Sequence, residues 1–393
     1  MNKSVALTGN EAVATAMKQI EPDVVAAYPI TPQTDIVQYF STFVADGQVK
    51  TEFVTVESEH SAMSATIGAS AAGARAMTAT SSQGLALMWE VVYIASSFRL
   101  PIVMPVVNRA LSGPINIHCD HSDSMGARDS GWIQLYSEDA QEAYDNVIQA
   151  IRIAEHPDVL LPVMVMQDGF VISHAMQNLE ILDDESVKKF VGTYKPDHHL
   201  LDVKHPMTVG SLFLPNFYFE AKKQEAEALE RAKKVIQEVA KEYAAISGRQ
   251  YGFFETYRLE DAEVAVIALN STAGTVRGLV DEYRAKGLRV GALKPRVFRP
   301  LPHEELVVAL QHLKAIAVMD RAESFSTHGG PLFNDLRSVL YESKERPVVT
   351  NYIYGLGGRD LTLDELRRVF DETLEAARAG YYRNRVTHLG VRE

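Results

Sequence analysis

Short apolar runs alternate with amphipathic stretches along much of the chain, and this alternation limits the fold more than any other feature. Four runs in the first half have the length and composition of strands, at residues 24–28, 74–80, 102–107 and 160–166. Between them, residues 33–45, 85–96 and 140–153 carry apolar side chains at helical spacing. This pattern predicts an α/β unit whose parallel sheet is mostly buried.

The alternation stops near residue 175 and returns at 261, which divides the chain into three predicted parts. Residues 1–175 form the first α/β domain. Residues 176–260 form an extended connector with one long helix, which ends before Gly248. Residues 261–393 form a second, smaller doubly wound α/β domain. Because irregular segments this long are uncommon inside a compact domain, we expect the connector to lie on another surface or another chain.

Composition excludes several classes of partner. The 393 residues include 51 acidic and 39 basic side chains, for a formal charge of −12, and no compact stripe of Lys and Arg is present. Nucleic acid is therefore not expected as a partner. No apolar segment approaches the roughly 20 residues of a membrane span, and the first residues do not fit a secretory signal. The single cysteine, Cys119, permits no disulfide within the chain, so a cytoplasmic location is expected.

Two of the loops that follow the apolar runs carry residues suited to a ligand site. Open α/β sheets bind ligands at this edge, beyond the carboxyl ends of the strands. In "YPITPQT", Thr31 precedes Pro32, which also suits a helix N-cap and a first-turn proline without any ligand. In "VESEHSA", Glu57 and Glu59 precede a helix rich in Ala, Gly and Ser. The acids complement the positive end of a helix, whereas the small residues favour close approach by another backbone or a flat ligand.

Two further loops complete this edge. The stretch "TSSQG", residues 80–84, leads from a strand into a helix, where backbone N–H groups face a ligand. Arg109 directly follows the next strand, and a guanidinium fixed there can hold a carboxylate by a bidentate pair. An ordinary surface ion pair is the alternative explanation of Arg109. The chain has no GxGxxG after a strand, no GxxxxGK[ST], no GxSxG and no HExxH, which excludes dinucleotide, P-loop, serine-hydrolase and zincin sites.

The stretch "NIHCDHSD", residues 116–123, gathers residue types that bind zinc and iron. A metal-dependent enzyme would use His118, Cys119, Asp120, His121 and Asp123. Neighbours in an extended run point to opposite sides, however, and no second ligand cluster with metal-like spacing follows. We therefore expect no metal here, and assign the histidines and aspartates to hydrogen bonds that hold this loop and its subunit contacts.

Taken together, these segments resemble the α subunit of the 2-oxoacid:ferredoxin oxidoreductases, the pyruvate:ferredoxin oxidoreductase family. The matching pieces are "AAYPITPQT", "VESEHSAMSATIGASAAGARAMTATSSQGLALM", "LPIVMPVVNRALSGPINIHCDHSD", "RDSGWIQ" and "YGLGGRD". Their order and spacing extend the resemblance over nearly the whole chain. It implies a doubly wound domain that binds the pyrimidine of thiamine diphosphate, followed by a smaller α/β domain like the C-terminal domain of transketolase.

The resemblance also implies roles for individual residues. Glu59 would hydrogen-bond the N1′ nitrogen of the cofactor's pyrimidine ring, where a carboxyl group is needed to hold a proton. Thr31 and Arg109 would bind the carboxylate and carbonyl end of the 2-oxoacid. The cofactor-binding residues would further include Tyr28, Pro29, Ser82, Gln83 and Gly84. No residue of this chain is expected to bind a metal.

The activity implied by the resemblance is the oxidative decarboxylation of a 2-oxoacid, above all pyruvate, to its acyl-CoA and CO2, with reduction of ferredoxin. The chain has no GDG sequence for Mg²⁺ and diphosphate, and one cysteine cannot hold a [4Fe-4S] cluster, which takes about four thiolates. Mg²⁺ and the clusters are therefore expected in partner subunits of β, γ and δ type, and thiamine diphosphate is expected to be shared with the β subunit. The isolated chain should be inactive.

Two alternatives remain open at this point. The same chemistry can act on a bulkier 2-oxoacid, such as 2-oxoisovalerate or phenylglyoxylate, because a β chain would build part of the pocket wall. The chain can also be a structural subunit that keeps the fold without taking part in catalysis. The joint presence of Thr31, Glu59 and Arg109 argues against the structural alternative, since a purely structural chain need not keep all three.

Overall fold

The computed structural model describes residues 3–382 and 385–392, in which strands and helices alternate. Residues 176–260, predicted as a connector with one long helix, also contain a second helix and two strands. The strands in these residues are β1 (Lys3–Leu7), β2 (Val24–Ala27), β3 (Glu52–Thr55), β4 (Ala76–Met77), β5 (Val103–Asn108), β6 (Ile133–Tyr136), β7 (Val163–Asp168), β8 (Gln177–Ile181), β9 (Phe254–Tyr257), β10 (Val264–Ala268), β11 (Val290–Pro295), β12 (Val297–Arg299), β13 (Ala315–Asp320), β14 (Val348–Ile353) and β15 (Val386–His388). The helices are α1 (Gly9–Ile20), α2 (Thr34–Ala45), α3 (Glu59–Ala71), α4 (Ser82–Leu87), α5 (Trp89–Ser97), α6 (Ser122–Gly126), α7 (Ala140–Ala154), α8 (Asp184–Val191), α9 (Pro215–Ser247), α10 (Thr272–Ala285), α11 (His303–Leu310), α12 (Pro331–Tyr341) and α13 (Leu363–Ala379), with a 3₁₀ turn at Leu356–Gly358. None of these helices is long and apolar enough to cross a bilayer.

A seven-stranded sheet, in the order β12-β6-β7-β5-β4-β2-β3, forms the centre of the first half. Its neighbours pair in parallel except β12, which runs antiparallel to β6. Both β5 and β7 are buried along their whole length, which explains their continuous apolar sequences. Strand β12 comes from beyond residue 261, so the later part of the chain completes the first sheet.

The second sheet has six strands in the order β15-β14-β13-β10-β11-β9. Five are parallel, and β9 pairs antiparallel with β11. One apolar cluster spans both halves and includes Trp132 and Met164 from the first together with Phe298 and Ile316 from the second. The two sheets therefore share a core rather than standing apart.

Helix α9, which lies between the two sheets in sequence, packs on the first of them through α7. Its 33 residues end at Ser247, and Gly248 after it adopts the left-handed conformation predicted for a C-terminal glycine. Asp145 of α7 is buried and accepts hydrogen bonds from Tyr243, Arg249 and Tyr251, which fastens the end of this helix. The irregular segment before α9 lies across the end of α3, where Leu200 N donates to Ala71 O.

Candidate active site

Arg109 and Thr31 meet at the carboxyl edge of the seven-stranded sheet. Arg109 directly follows β5, and its Nη1 donates to Thr31 O at 2.8 Å while its Nε donates to Asn116 O at 2.9 Å. The side chain is only 6% exposed, and burial lowers its pKa, an effect that Asp123 opposes. Among residues 3–382 and 385–392, no carboxylate forms an ion pair with this guanidinium. Two backbone carbonyls thus fix a buried cation in the absence of a charged partner, which the surface ion-pair explanation does not predict.

Glu59 is the first residue of α3 and is only 7% exposed. The hydroxyl of Ser58 caps this helix by accepting a hydrogen bond from Ser61 N at 3.2 Å, so the Glu59 carboxylate is not used as the cap. In the part of the chain that the structure describes, no group donates to that carboxylate. With no protein donor in these residues, the carboxylate is free to hydrogen-bond a ligand at this position.

The turn at residues 80–84 forms a wall beside Glu59. A Cβ added at Gly84 would overlap Thr80 Oγ1 and lie 2.9 Å from Glu59 Oε1, so only glycine leaves room for the carboxylate here. The hydroxyls of Thr80 and Ser81 are buried and have no hydrogen-bond partner within the described residues. Unpartnered polar atoms beside an unpartnered carboxylate indicate that this corner is built for a polar ligand.

Ser82 and Gln83 lie at the start of α4, and Ser82 links this wall to the loop that begins at Arg109, which we call the arginine loop. Ser82 has a φ of 46°, a conformation that costs energy for a residue with a side chain. Its Oγ donates to Ala110 O at 2.5 Å and lies 2.7 Å from Gln83 Oε1. Tyr28 and Pro29 follow β2 at the same edge, but no hydrogen bond or ion pair in the described ranges joins them to Glu59 or Arg109.

The stretch at residues 116–123 divides its side chains between two supports. The first is the glycine turn that precedes α13, where Asn116 Nδ2 donates to Gly357 O at 3.0 Å and Asp120 Oδ2 accepts from Gly357 N at 3.1 Å. A Cβ at Gly358 would overlap the side chain of His118, and both glycines have positive φ values. The "GLGG" turn therefore supports residues 116–120 in addition to leading into a helix.

The second support is Asp168, the last residue of β7, which is fully buried. It accepts from Arg321 Nη1 at 3.1 Å and from Asn270 Nδ2 at 2.9 Å, and it lies 2.8 Å from His121 Nε2. Burial by itself raises the pKa of Asp168, but Arg321 and His121 outweigh it and hold that pKa well below its usual range. This carboxylate joins the first sheet to loops of the second. The sequence analysis did not identify Asp168, because no motif or spacing marks it.

The residues that could together bind a metal in the structure differ from those suggested by the sequence. Ligand atoms of Cys119, His121 and Asp168 lie within 4.8 Å of one another, whereas His118, Asp120 and Asp123 are not in this group. Asp168 already accepts from Arg321, and a guanidinium at this position opposes a second cation. Burial also raises the pKa of the Cys119 thiol, which disfavours the thiolate that binds metals. The group fits a hydrogen-bonded cluster better than a metal site.

Comparison with known families agrees with this geometry. Residues 15–241 match the family described as pyruvate flavodoxin/ferredoxin oxidoreductase, thiamine diphosphate-binding, and residues 262–366 match pyruvate:ferredoxin oxidoreductase core domain II. The chain belongs to the pyruvate:ferredoxin oxidoreductase family. The resemblance inferred from the loops is therefore confirmed, as is the α/β fold with a thiamine diphosphate-binding domain and a second core domain.

Curated relatives of the family match over almost the full chain. Pyruvate synthase subunit PorA of Thermotoga maritima is 58% identical over 389 residues, which cover 99% of this chain and 98% of that protein. PorA of Methanocaldococcus jannaschii is 49% identical, with 94% and 95% covered. Ketoisovalerate oxidoreductase subunit VorA of Pyrococcus horikoshii is 43% identical, with 95% and 94% covered.

Solved structures support the fold. A 2-oxoglutarate:ferredoxin oxidoreductase from Magnetococcus marinus superimposes with a TM-score of 0.69 at 22% identity, covering 94% of this chain and 65% of that one. This chain therefore spans about two thirds of the length of that chain. At this identity the likeness concerns the fold of both domains and not the substrate.

Proposed function

We propose that this chain is the α subunit of a pyruvate synthase. Pyruvate, coenzyme A and two oxidised ferredoxins would give acetyl-CoA, CO2, a proton and two reduced ferredoxins. The observation that carries the proposal is the joint placement of Arg109 beside Thr31 and of an unpartnered Glu59 beside Gly84, at one edge of one sheet. Full-length likeness to PorA chains from both bacteria and archaea supports pyruvate as the substrate.

The corner at Glu59 fits the pyrimidine end of thiamine diphosphate. Glu59 would share a proton with a nitrogen of the pyrimidine ring. Its carboxylate is available for this contact because no group in the described residues donates to it. Gly84 leaves space for the carboxylate, and the free hydroxyls of Thr80 and Ser81 offer further polar contacts. When bound, thiamine diphosphate supplies the nucleophilic carbon and the electron sink for decarboxylation.

Arg109 would bind the carboxylate of the 2-oxoacid. Its Nε and Nη1 already donate to Asn116 O and Thr31 O, which prevents the side chain from turning away. The guanidinium is therefore oriented before substrate arrives, which reduces the entropy lost on binding. Low exposure strengthens its attraction for an anion, because water screens a buried charge less.

A bulkier 2-oxoacid is the second candidate. The VorA relative, named for ketoisovalerate, is 43% identical over 375 residues, which cover 95% of this chain. Chains similar to this one are therefore named for either substrate. The greater identity to PorA chains favours pyruvate.

Partner chains would complete the site and the electron path. The chain has one cysteine, so the [4Fe-4S] clusters would lie in β, γ and δ-type subunits, and a β chain would bring Mg²⁺ and the diphosphate contacts. Exposed apolar side chains near the site agree with such a cover: Ile115 is 79% exposed, and Leu87 and Trp89 are also exposed. Leu212 and Phe219, before and on α9, are 88% and 78% exposed and suit another subunit contact.

Purification of the native complex tests the proposal. Co-eluting chains would be identified by mass spectrometry, and the complex would be assayed with coenzyme A, a viologen acceptor and a panel of 2-oxoacids. We expect the highest kcat/KM with pyruvate. A preference for 2-oxoisovalerate would support the second candidate, and a complex that oxidises no 2-oxoacid would refute the proposed activity.

A further inference from the structure

Asp123 is a buried carboxylate that connects the two sides of the proposed site. Its Oδ2 accepts from Ser82 N at 2.9 Å and from Arg109 N at 3.0 Å. Its Oδ1 accepts from Asn108 Nδ2 and from Ser124 N, each at 2.8 Å. One oxygen therefore bridges the wall beside Glu59 and the backbone of the arginine.

The support behind Asp123 is rigid. It lies on α6, whose Ser124 hydroxyl is 2.8 Å from Tyr136 Oη and whose Ser124 carbonyl accepts from Gln134 Nε2 at 2.9 Å. Tyr136 and Gln134 belong to β6, which is buried throughout. The helix is thus held against the interior of the sheet. Through its hydrogen bonds to Ser82 N and Arg109 N, Asp123 fixes the starts of two loops to this helix.

We infer that Asp123 is a positioning residue, which sets the position of Arg109 relative to the Ser82–Gly84 wall and so to Glu59. This inference deepens the proposed function and rests on it. Ser82 has a strained φ of 46°, and its N–H is held by Asp123 while its hydroxyl is held by Ala110 O. Loss of the carboxylate would release this turn and the start of the arginine loop together.

Asp123→Asn in the complete complex is the direct test. The amide has one oxygen where the carboxylate has two, and its NH2 would face a backbone N–H that needs an acceptor. We expect KM for pyruvate to rise at least about tenfold, since small displacements of positioned groups cost up to about a hundredfold. The thiamine diphosphate concentration for half-maximal reconstitution should rise with it, because the same carboxylate holds the wall beside Glu59.

Asp320→Asn is the matched control. Asp320 is also buried, and like Asp123 it accepts from backbone N–H groups, in its case those of Leu332 and Phe333, and from an asparagine side chain, that of Asn351. Burial raises the pKa of Asp123 and of Asp320 alike to about 6. Asp320→Asn should lower the melting temperature about as much as Asp123→Asn does. It should leave KM for pyruvate and the thiamine diphosphate concentration for half-maximal reconstitution within about twofold of wild type.

The outcomes separate this inference from the proposed function. An active wild-type complex whose Asp123→Asn variant keeps both constants, or whose Asp320→Asn control shows the same rise, would overturn the positioning role alone. A wild-type complex that oxidises no 2-oxoacid would overturn both. If the Asp123→Asn variant does not assemble, Asn108→Ala removes one donor and keeps the carboxylate. It should raise KM at least about threefold, the effect of one hydrogen bond, and an unchanged KM would count against the inference.

Discussion

Replacement of Arg109 by lysine tests the substrate site most directly. The guanidinium donates to Thr31 O at 2.8 Å and to Asn116 O at 2.9 Å, and it would also bind the substrate carboxylate. Lysine keeps the positive charge but lacks the planar fork, so it cannot serve both carbonyls and a carboxylate in the same geometry. The variant therefore loses a charged hydrogen bond to substrate, with little change in net charge.

The expected magnitude follows from that loss. A hydrogen bond to a charged group contributes about 1.5–3 kcal/mol. At about 1.4 kcal/mol per factor of ten, kcat/KM for pyruvate should fall about 10- to 150-fold. The loss should appear mainly in KM, because the carboxylate is bound equally in the ground state and the transition state. Steady-state assays of the purified complex with a viologen acceptor measure both constants.

Arg99→Lys provides the control. Arg99 is also partly buried and donates to two backbone carbonyls, those of Val159 and Leu160. Both variants should lose about 1–3 kcal/mol of stability, as an unfolding measurement will show. Only Arg109→Lys should lose kcat/KM. A KM within about twofold of wild type for Arg109→Lys, or an equal kinetic loss in Arg99→Lys, would refute the substrate role.

Three further predictions concern the neighbouring residues. Glu59→Gln should lower turnover at least about a hundredfold, the scale for an acid–base group, whereas exposed Glu57→Gln should not; viologen assays compare them. Gly84→Ala should lower turnover about tenfold through overlap with the Glu59 carboxylate, while Gly278→Ala, with open space on α10, should raise the melting temperature slightly. Asp168→Asn leaves Arg321 without its buried counterion and should cost about 3–5 kcal/mol in urea unfolding at pH 7. The pKa of Asp168 in the folded protein lies below its usual value, so the difference in unfolding free energy between wild type and Asp168→Asn should become smaller as pH falls below about 4. A difference that does not change with pH would contradict the ion pair between Asp168 and Arg321.

Several features could be predicted from sequence because they depend on local pattern. Buried parallel strands have largely apolar sequences, so β5 and β7 were predictable from their apolar runs. Loops that follow the strands of one parallel sheet lie at the same edge, and the structure places Thr31 against Arg109 although β4 separates their strands. The order and spacing of these loops were specific enough to indicate the family.

Long-range pairings could not be predicted in this way. Asp123 contacts Ser82 across 41 residues, Arg321 contacts Asp168 across 153, and Asn116 contacts Gly357 across 241. The sequence showed Asp123 only as one of several polar residues in a loop and Gly357 only as part of the matching segment "YGLGGRD". In the same way, the three residues of β12 carry no local signal for their partner, and they pair with β6 because the two sheets share a core. Local periodicity records which face of an element is buried, whereas the partner of a buried carboxylate or of an edge strand depends on how the sheets come together.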